Sequence, residues 1–189
     1  AISDAIEAVV KSQGNSKYAL GSVLGHVLMH QTINGNEALL QMEQAGDYPD
    51  IIVGCTGGGS NLSGLMFPFL GQQLRGGSKI DIIGCEPLSC PSFTKGKYAY
   101  DHGDMARMTP LIKMHTLGSD FLPPANHSGG LRYHGMSYHL SHLYDLGLMR
   151  AKAYGQKECF EAGVIFGKQE GIIPAPEANH AVKGTIDAA

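Results

Sequence analysis

Apolar residues along the first third of the chain follow a helical period, then change to strand-like runs. Ile2, Ile6, Val9 and Val10 share one helical face that stops before Gly14-Asn15, which predicts a helix ending there. Residues 16–22 form a connector, and 23–33 mix apolar positions with His26, His30 and Gln31. Asn34-Gly35-Asn36 carries turn residues and predicts a turn, followed by a helix over 37–44 with Leu39, Leu40 and Met42 inward. Ile51 to Cys55 is a short β-branched apolar run with turn signals at both ends, a predicted buried strand. Leu62, Leu65, Met66, Phe69 and Leu70 mark the next helical face. Pro68 interrupts that face and removes the hydrogen bond to the Gly64 carbonyl, so a kink or a short helix is predicted. Ile80 to Cys85 is a second buried strand.

Strand, helix and strand in close succession make a βαβ unit, hence a parallel sheet with a right-handed crossover. The stretch 88–150 is poor in pattern and predicted to be loop-rich, with a run of unusual composition at Ser128-Gly129-Gly130-Leu131-Arg132-Tyr133-His134-Gly135. Cys159, Ala162, Gly163 and Phe166 follow the helical rule after Ala153-Tyr154, and a last helix begins at Asn179. The predicted fold is α/β, with a mostly parallel sheet between helical layers.

The first strand meets its helix through Gly57, Gly58, Gly59, Ser60 and Asn61. Without Cβ atoms such a backbone can curl until successive N–H groups converge, and the helix N-terminus adds partial positive charge. A phosphate is the fitting guest; the plainer alternative is a turn that only lets strand and helix pack closely. Ligands of open α/β sheets bind beyond the carboxyl ends of the strands, where this loop and Glu86-Pro87 both fall.

Composition narrows the classes. The 189 residues carry 43% hydrophobic and 16% charged positions, 26 glycines and a net charge of −3. That balance gives no basic footprint for nucleic acid, and no apolar run suits a membrane span. Four cysteines without a CxxC pair fit buried free thiols, which predicts a cytoplasmic protein. The start at Ala1-Ile2, already within a helical pattern and without a basic signal region, suggests a fragment.

The glycine loop, Gly84-Cys85-Glu86-Pro87, the 128–135 run and Glu170-Gly171-Ile172-Ile173-Pro174-Ala175-Pro176-Glu177 occur in a fixed order. In that order the chain resembles the later half of tryptophan synthase β chains, most of all a divergent β-like lineage of these fold-type II pyridoxal-phosphate enzymes. The resemblance implies the tail of an N-terminal domain over 1–33 and a cofactor-phosphate domain over 34–189. It implies pyridoxal 5'-phosphate held by Gly57, Gly58, Gly59, Ser60 and Asn61, with Glu170 as the acid near the pyridine ring. It also implies a monovalent cation, sodium or potassium, on the carbonyls of Gly57, Tyr133 and Gly135. The reaction implied is β-replacement of a serine-type donor with indole, by a homodimer that can partner a synthase α chain.

Three departures accompany the resemblance. The lysine that anchors the cofactor belongs to a His-Lys pair, and no lysine here follows a histidine, so the isolated stretch is expected to be inactive. A closing strand that brings a hydroxyl to the pyridine nitrogen is missing as well. Arg132 stands where the main lineage has an aspartate. A guanidinium pairs bidentately with phosphate, which points to O-phosphoserine as donor; alternatively Arg132 only holds its loop. Competing assignments are another β-replacement or β-elimination enzyme of this fold, and a non-catalytic phosphate-binding module. His134, His139 and His142 are close in sequence but lack supporting ligand motifs and are expected to be structural.

Overall fold

A computed structural model describes residues 2–21 and 23–189. The N-terminal segment contains α1 (Ile2–Lys11), α2 (Gly25–His30) and α3 (Thr32–Ala45). A parallel sheet of order β1-β2-β5 follows, built from β1 (Ile51–Cys55), β2 (Asp81–Pro87) and β5 (Arg150–Tyr154). α4 (Ser60–Leu74) crosses from β1 to β2, and α6 (Gln156–Glu170) and α7 (Ala178–Ile186) follow β5.

Successive strand side chains point to opposite faces, and on β2 this period sorts the two cores. Ile82 joins Leu62, Met66, Phe69 and Leu70 of α4 beneath one face. Ile83 and Cys85 face the other way and pack with Tyr154 and Cys159. Both faces of the parallel sheet are therefore covered, the three-layer arrangement the two apolar runs require.

Two expectations about the helices change. The predicted turn at Asn34-Gly35-Asn36 lies inside α3, which begins at Thr32, so the domain boundary expected near residue 33 falls within a helix. Gly35 serves packing: a Cβ built there would lie 2.6 Å from the Gly64 carbonyl oxygen and 2.8 Å from Pro68 Cδ. α4 remains one helix of 15 residues through Pro68. The carbonyl that Pro68 leaves without its helical partner is one of two against which Gly35 sits, the other being that of Leu65.

The stretch expected to be loop-rich contains an antiparallel hairpin, β3 (Lys97–His102) and β4 (Leu111–Thr116), and then α5 (Tyr138–Asp145). Tyr98 opposes His115 and Tyr100 opposes Lys113 across the hairpin. Neither strand has a run of apolar residues, because each is only partly buried, which hid both from the pattern. β5, Arg-Ala-Lys-Ala-Tyr, is an edge strand and was equally faint.

Candidate functional site

The glycine loop stands where β1 gives way to α4. Thr56 N–H extends the strand pairing by donating to the Cys85 carbonyl at 2.8 Å, which fixes where the loop leaves the sheet. Gly59 caps α4 with φ 106°, a left-handed conformation that glycine adopts without strain, and no side chain caps this helix. The first-turn amides of an α-helix have no intrahelical acceptor, so those of Ser60, Asn61 and Leu62 are donors with positive potential behind them. Residues 57–61 line a cavity of about 420 Å³ whose far wall is Gly130, Leu131, Ala175 and Glu177.

The far wall is tied to the loop at several points. A Cβ on Gly57 would lie 2.5 Å from the Gly130 carbonyl oxygen and 3.0 Å from Leu131 Cα, so two backbones meet there with no room for a side chain. Gly130 N–H donates to Glu177 Oε1 at 3.1 Å, and Ser128 Oγ donates to the Pro176 carbonyl at 3.3 Å. The Cys55 thiol donates to the Glu177 carbonyl at 2.9 Å, joining the end of β1 to the start of α7. Burial pushes that thiol up to about 11, so it stays protonated and serves as a donor.

The structure gathers Gly57, Gly58, Gly59, Ser60 and Asn61 in one cavity but places Glu170 elsewhere. Glu170 is the exposed last residue of α6, where Gly171 at φ 70° ends the helix. The chain then turns, and Glu177, at the other end of the same acidic-to-acidic motif, faces the glycine loop. The sequence held a signal for it: an acid directly after Pro174-Ala175-Pro176, at the start of the last helix.

Arg132 is exposed, donates from Nη2 to the Pro123 carbonyl at 2.6 Å, and borders a separate cavity of about 330 Å³ with Tyr133 and His134. Its guanidinium thus holds the 123–132 loop, beside the wall of the glycine-loop cavity. The Tyr133 carbonyl accepts the Cys90 thiol at 3.0 Å, and its phenol, raised by burial, donates to the Gly103 carbonyl at 2.7 Å. Gly135 pairs with Thr116 in an isolated β-bridge. Glu86 is fully buried and does not line the cavity: its carboxylate accepts Phe93 N–H at 2.9 Å and Thr94 N–H at 2.8 Å, closing the turn after β2.

The three histidines do not converge. His134 Nε2 lies 2.9 Å from the His102 carbonyl oxygen, whereas His139 and His142 border an apolar groove of about 670 Å³ beside Tyr98 and Lys113. Among the described residues no three His, Cys, Asp or Glu side chains form a metal-binding group. No helix among them is long and apolar enough to cross a membrane.

Comparison with known proteins follows this geometry. The family model described as pyridoxal-phosphate dependent enzyme matches residues 5–189. The chain is 54% identical to tryptophan synthase beta chain 2 of Aeropyrum pernix over 189 residues, covering 100% of this chain and 42% of that protein. It is 55% identical to tryptophan synthase beta chain 2 of Aquifex aeolicus, covering 44% of that protein, and 55% identical to the Thermotoga maritima protein of the same name, again covering 44%. The chain therefore spans less than half the length of these curated relatives. Among solved structures, a threonine deaminase from T.th. superposes with a TM-score of 0.63 at 15% identity, over 85% of this chain and 51% of that one, a likeness of fold.

Proposed function

The chain belongs to the pyridoxal-phosphate dependent enzyme family, and from that premise we propose that it is the cofactor-phosphate part of a tryptophan synthase β-like lyase. The observation that carries this is the uncapped start of α4 behind a three-glycine loop, opening into a cavity with a carboxylate on its far wall. Those features suit the cofactor. A Cβ on Gly57 or Gly59 would strike the residues packed around the loop and displace it, its free amides match a phosphate, and Glu177 offers a carboxylate opposite.

Gly57, Gly58 and Gly59 would hold the phosphate through main-chain amides, with Ser60 and Asn61 supplying the helix-end donors. Glu177, which lines the cavity, would take the role expected of Glu170 towards the ring. When bound, pyridoxal phosphate supplies an electron sink for bond cleavage at the substrate's α and β carbons. The chain's own part is to orient that ring by gripping one end and to exclude water with the 129–131 wall. Among the described residues no lysine borders the cavity, so the 189-residue stretch alone should give no turnover.

In the intact protein the proposed reaction joins a serine-type donor to indole. Arg132, at the edge of the wall, favours O-phosphoserine over serine, since a guanidinium matches an anionic leaving group. A monovalent cation on the Gly57, Tyr133 and Gly135 carbonyls, a homodimer and an α-chain partner complete the proposal. Tryptophan formation by full-length protein from indole with serine, and separately with O-phosphoserine, tests it. A preference for O-phosphoserine that Arg132→Ala abolishes supports Arg132's role, and a preference for serine refutes that role. Turnover of sulfide in place of indole would move the protein to another β-replacement reaction.

A further inference from the structure

All three glycines of the loop touch or face one other stretch of chain, residues 130–140. Gly57 meets Gly130 and Leu131, and a Cβ on Gly59 would lie 2.5 Å from Leu140 Cδ1 and 3.1 Å from Ser137 Oγ. Between them, Ser137 N–H donates to the Gly58 carbonyl at 3.0 Å. Ser137 is itself held: Met136 N–H donates to the His115 carbonyl at 2.9 Å, and the Thr116–Gly135 bridge pins the preceding residue to the β3–β4 hairpin.

A trans peptide is planar, with its C=O and N–H on opposite edges. The structure contains no cis peptide among the described residues. With the Gly58 carbonyl drawn towards Ser137, the Gly59 N–H on the other edge is turned away from Ser137, and both glycines line the cavity. We propose that Ser137 is a positioning residue of the phosphate cradle, acting through its main-chain N–H to aim the Gly58–Gly59 peptide at the anion. The hydroxyl does not share this role: Ser137 is 1% exposed, and its Oγ caps nothing and has no hydrogen-bond partner.

This assignment rests on the cofactor reading above, and the test separates the two. Ser137 has φ −51°, a value proline accepts, so Ser137→Pro keeps that angle, deletes the N–H and sets the ring Cδ in the hydrogen's place, which pushes the Gly58 carbonyl off its present aim. Ser137→Ala keeps the N–H and deletes the hydroxyl. Full-length protein of each kind is titrated with pyridoxal 5'-phosphate and with pyridoxal, which lacks the phosphate, and the bound phosphate's 31P shift is recorded. Ser137→Pro should bind pyridoxal phosphate about tenfold more weakly or worse, as loss of an aimed donor to a charged group implies. Its affinity for pyridoxal should stay within about twofold, the 31P resonance should move, and Ser137→Ala should match the parent. Equal weakening towards both ligands, or none, overturns the proposal. If Ser137→Pro does not fold, an ester in place of the Met136–Ser137 amide removes the N–H without adding a ring, weakens the Met136 carbonyl that accepts from Ser141 Oγ at 3.4 Å, and is judged by the same ratio. A parent protein that binds both ligands equally well would instead sink the cofactor-phosphate reading itself.

Discussion

Replacing Gly57 by alanine places a methyl group at the point where two backbones meet. The new Cβ would lie 2.5 Å from the Gly130 carbonyl oxygen, about 0.9 Å short of the 3.4 Å at which ordinary contact begins, and 3.0 Å from Leu131 Cα. Both obstacles are main chain, so no rotamer change relieves them. If Gly130 moves by that amount, its 3.1 Å hydrogen bond to Glu177 Oε1 is lost. Overpacking of this kind costs about 1–3 kcal/mol, and a hydrogen bond to a charged group contributes about 1.5–3 kcal/mol more. Gly57→Ala should therefore lose roughly 3 kcal/mol, against Gly129→Ala, where a Cβ meets nothing within 4 Å and the change should stay within about 0.5 kcal/mol. Urea unfolding of full-length protein measures both, with pyridoxal phosphate titration alongside. If Gly57→Ala equals Gly129→Ala in midpoint and in affinity, the apposition of loop and wall has been misjudged.

Three further outcomes follow from the same structure. Glu177→Gln should change the absorbance spectrum and affinity of bound pyridoxal phosphate, and Glu170→Gln, at an exposed helix end, should leave both unchanged; the reverse result would restore Glu170. Gly35→Ala should destabilise by about 1–3 kcal/mol in a urea titration, because its Cβ strikes the Leu65 and Gly64 carbonyls, although helix propensity alone predicts a gain of about 1 kcal/mol. His115 is boxed by Phe93, Tyr98 and Tyr144, its two ring nitrogens have no partners, and burial lowers its pKa, against a smaller upward pull from Asp145. With the folded pKa below the unfolded one, its stabilising contribution is present above about pH 6.5 and lost as pH falls through the folded pKa. His115→Phe should raise stability by about 1 kcal/mol at neutral pH and flatten the decline below about pH 6.5; an unchanged acid slope in thermal melts would refute this.

The parts that were legible in sequence are those where one physical demand dominates. β1 and β2 are buried in the sheet, so their β-branched runs stand out, and the glycine loop between β1 and α4 is unmistakable once both are placed. The hairpin carries no such run: Lys97-Tyr98-Ala99-Tyr100 is partly exposed throughout, and its pairing depends on residues beyond any local window. Gly35 and Pro68 carry local signals for a turn and a break, and tertiary contact between α3 and α4 overrides both. The choice between Glu170 and Glu177 turns on where α6 ends. The left-handed Gly171 decides that, and only the chain reversal after it shows which carboxylate reaches the cavity.

The most direct test follows the backbone amides of isotopically labelled full-length protein as pyridoxal 5'-phosphate is added. The amide resonances of Gly57, Gly58, Gly59, Ser60 and Asn61 should move furthest, and pyridoxal lacking the phosphate should leave them nearly in place. Shifts centred instead on Arg132 and His134, with residues 57–61 silent, would contradict the assignment of the glycine loop as the phosphate site.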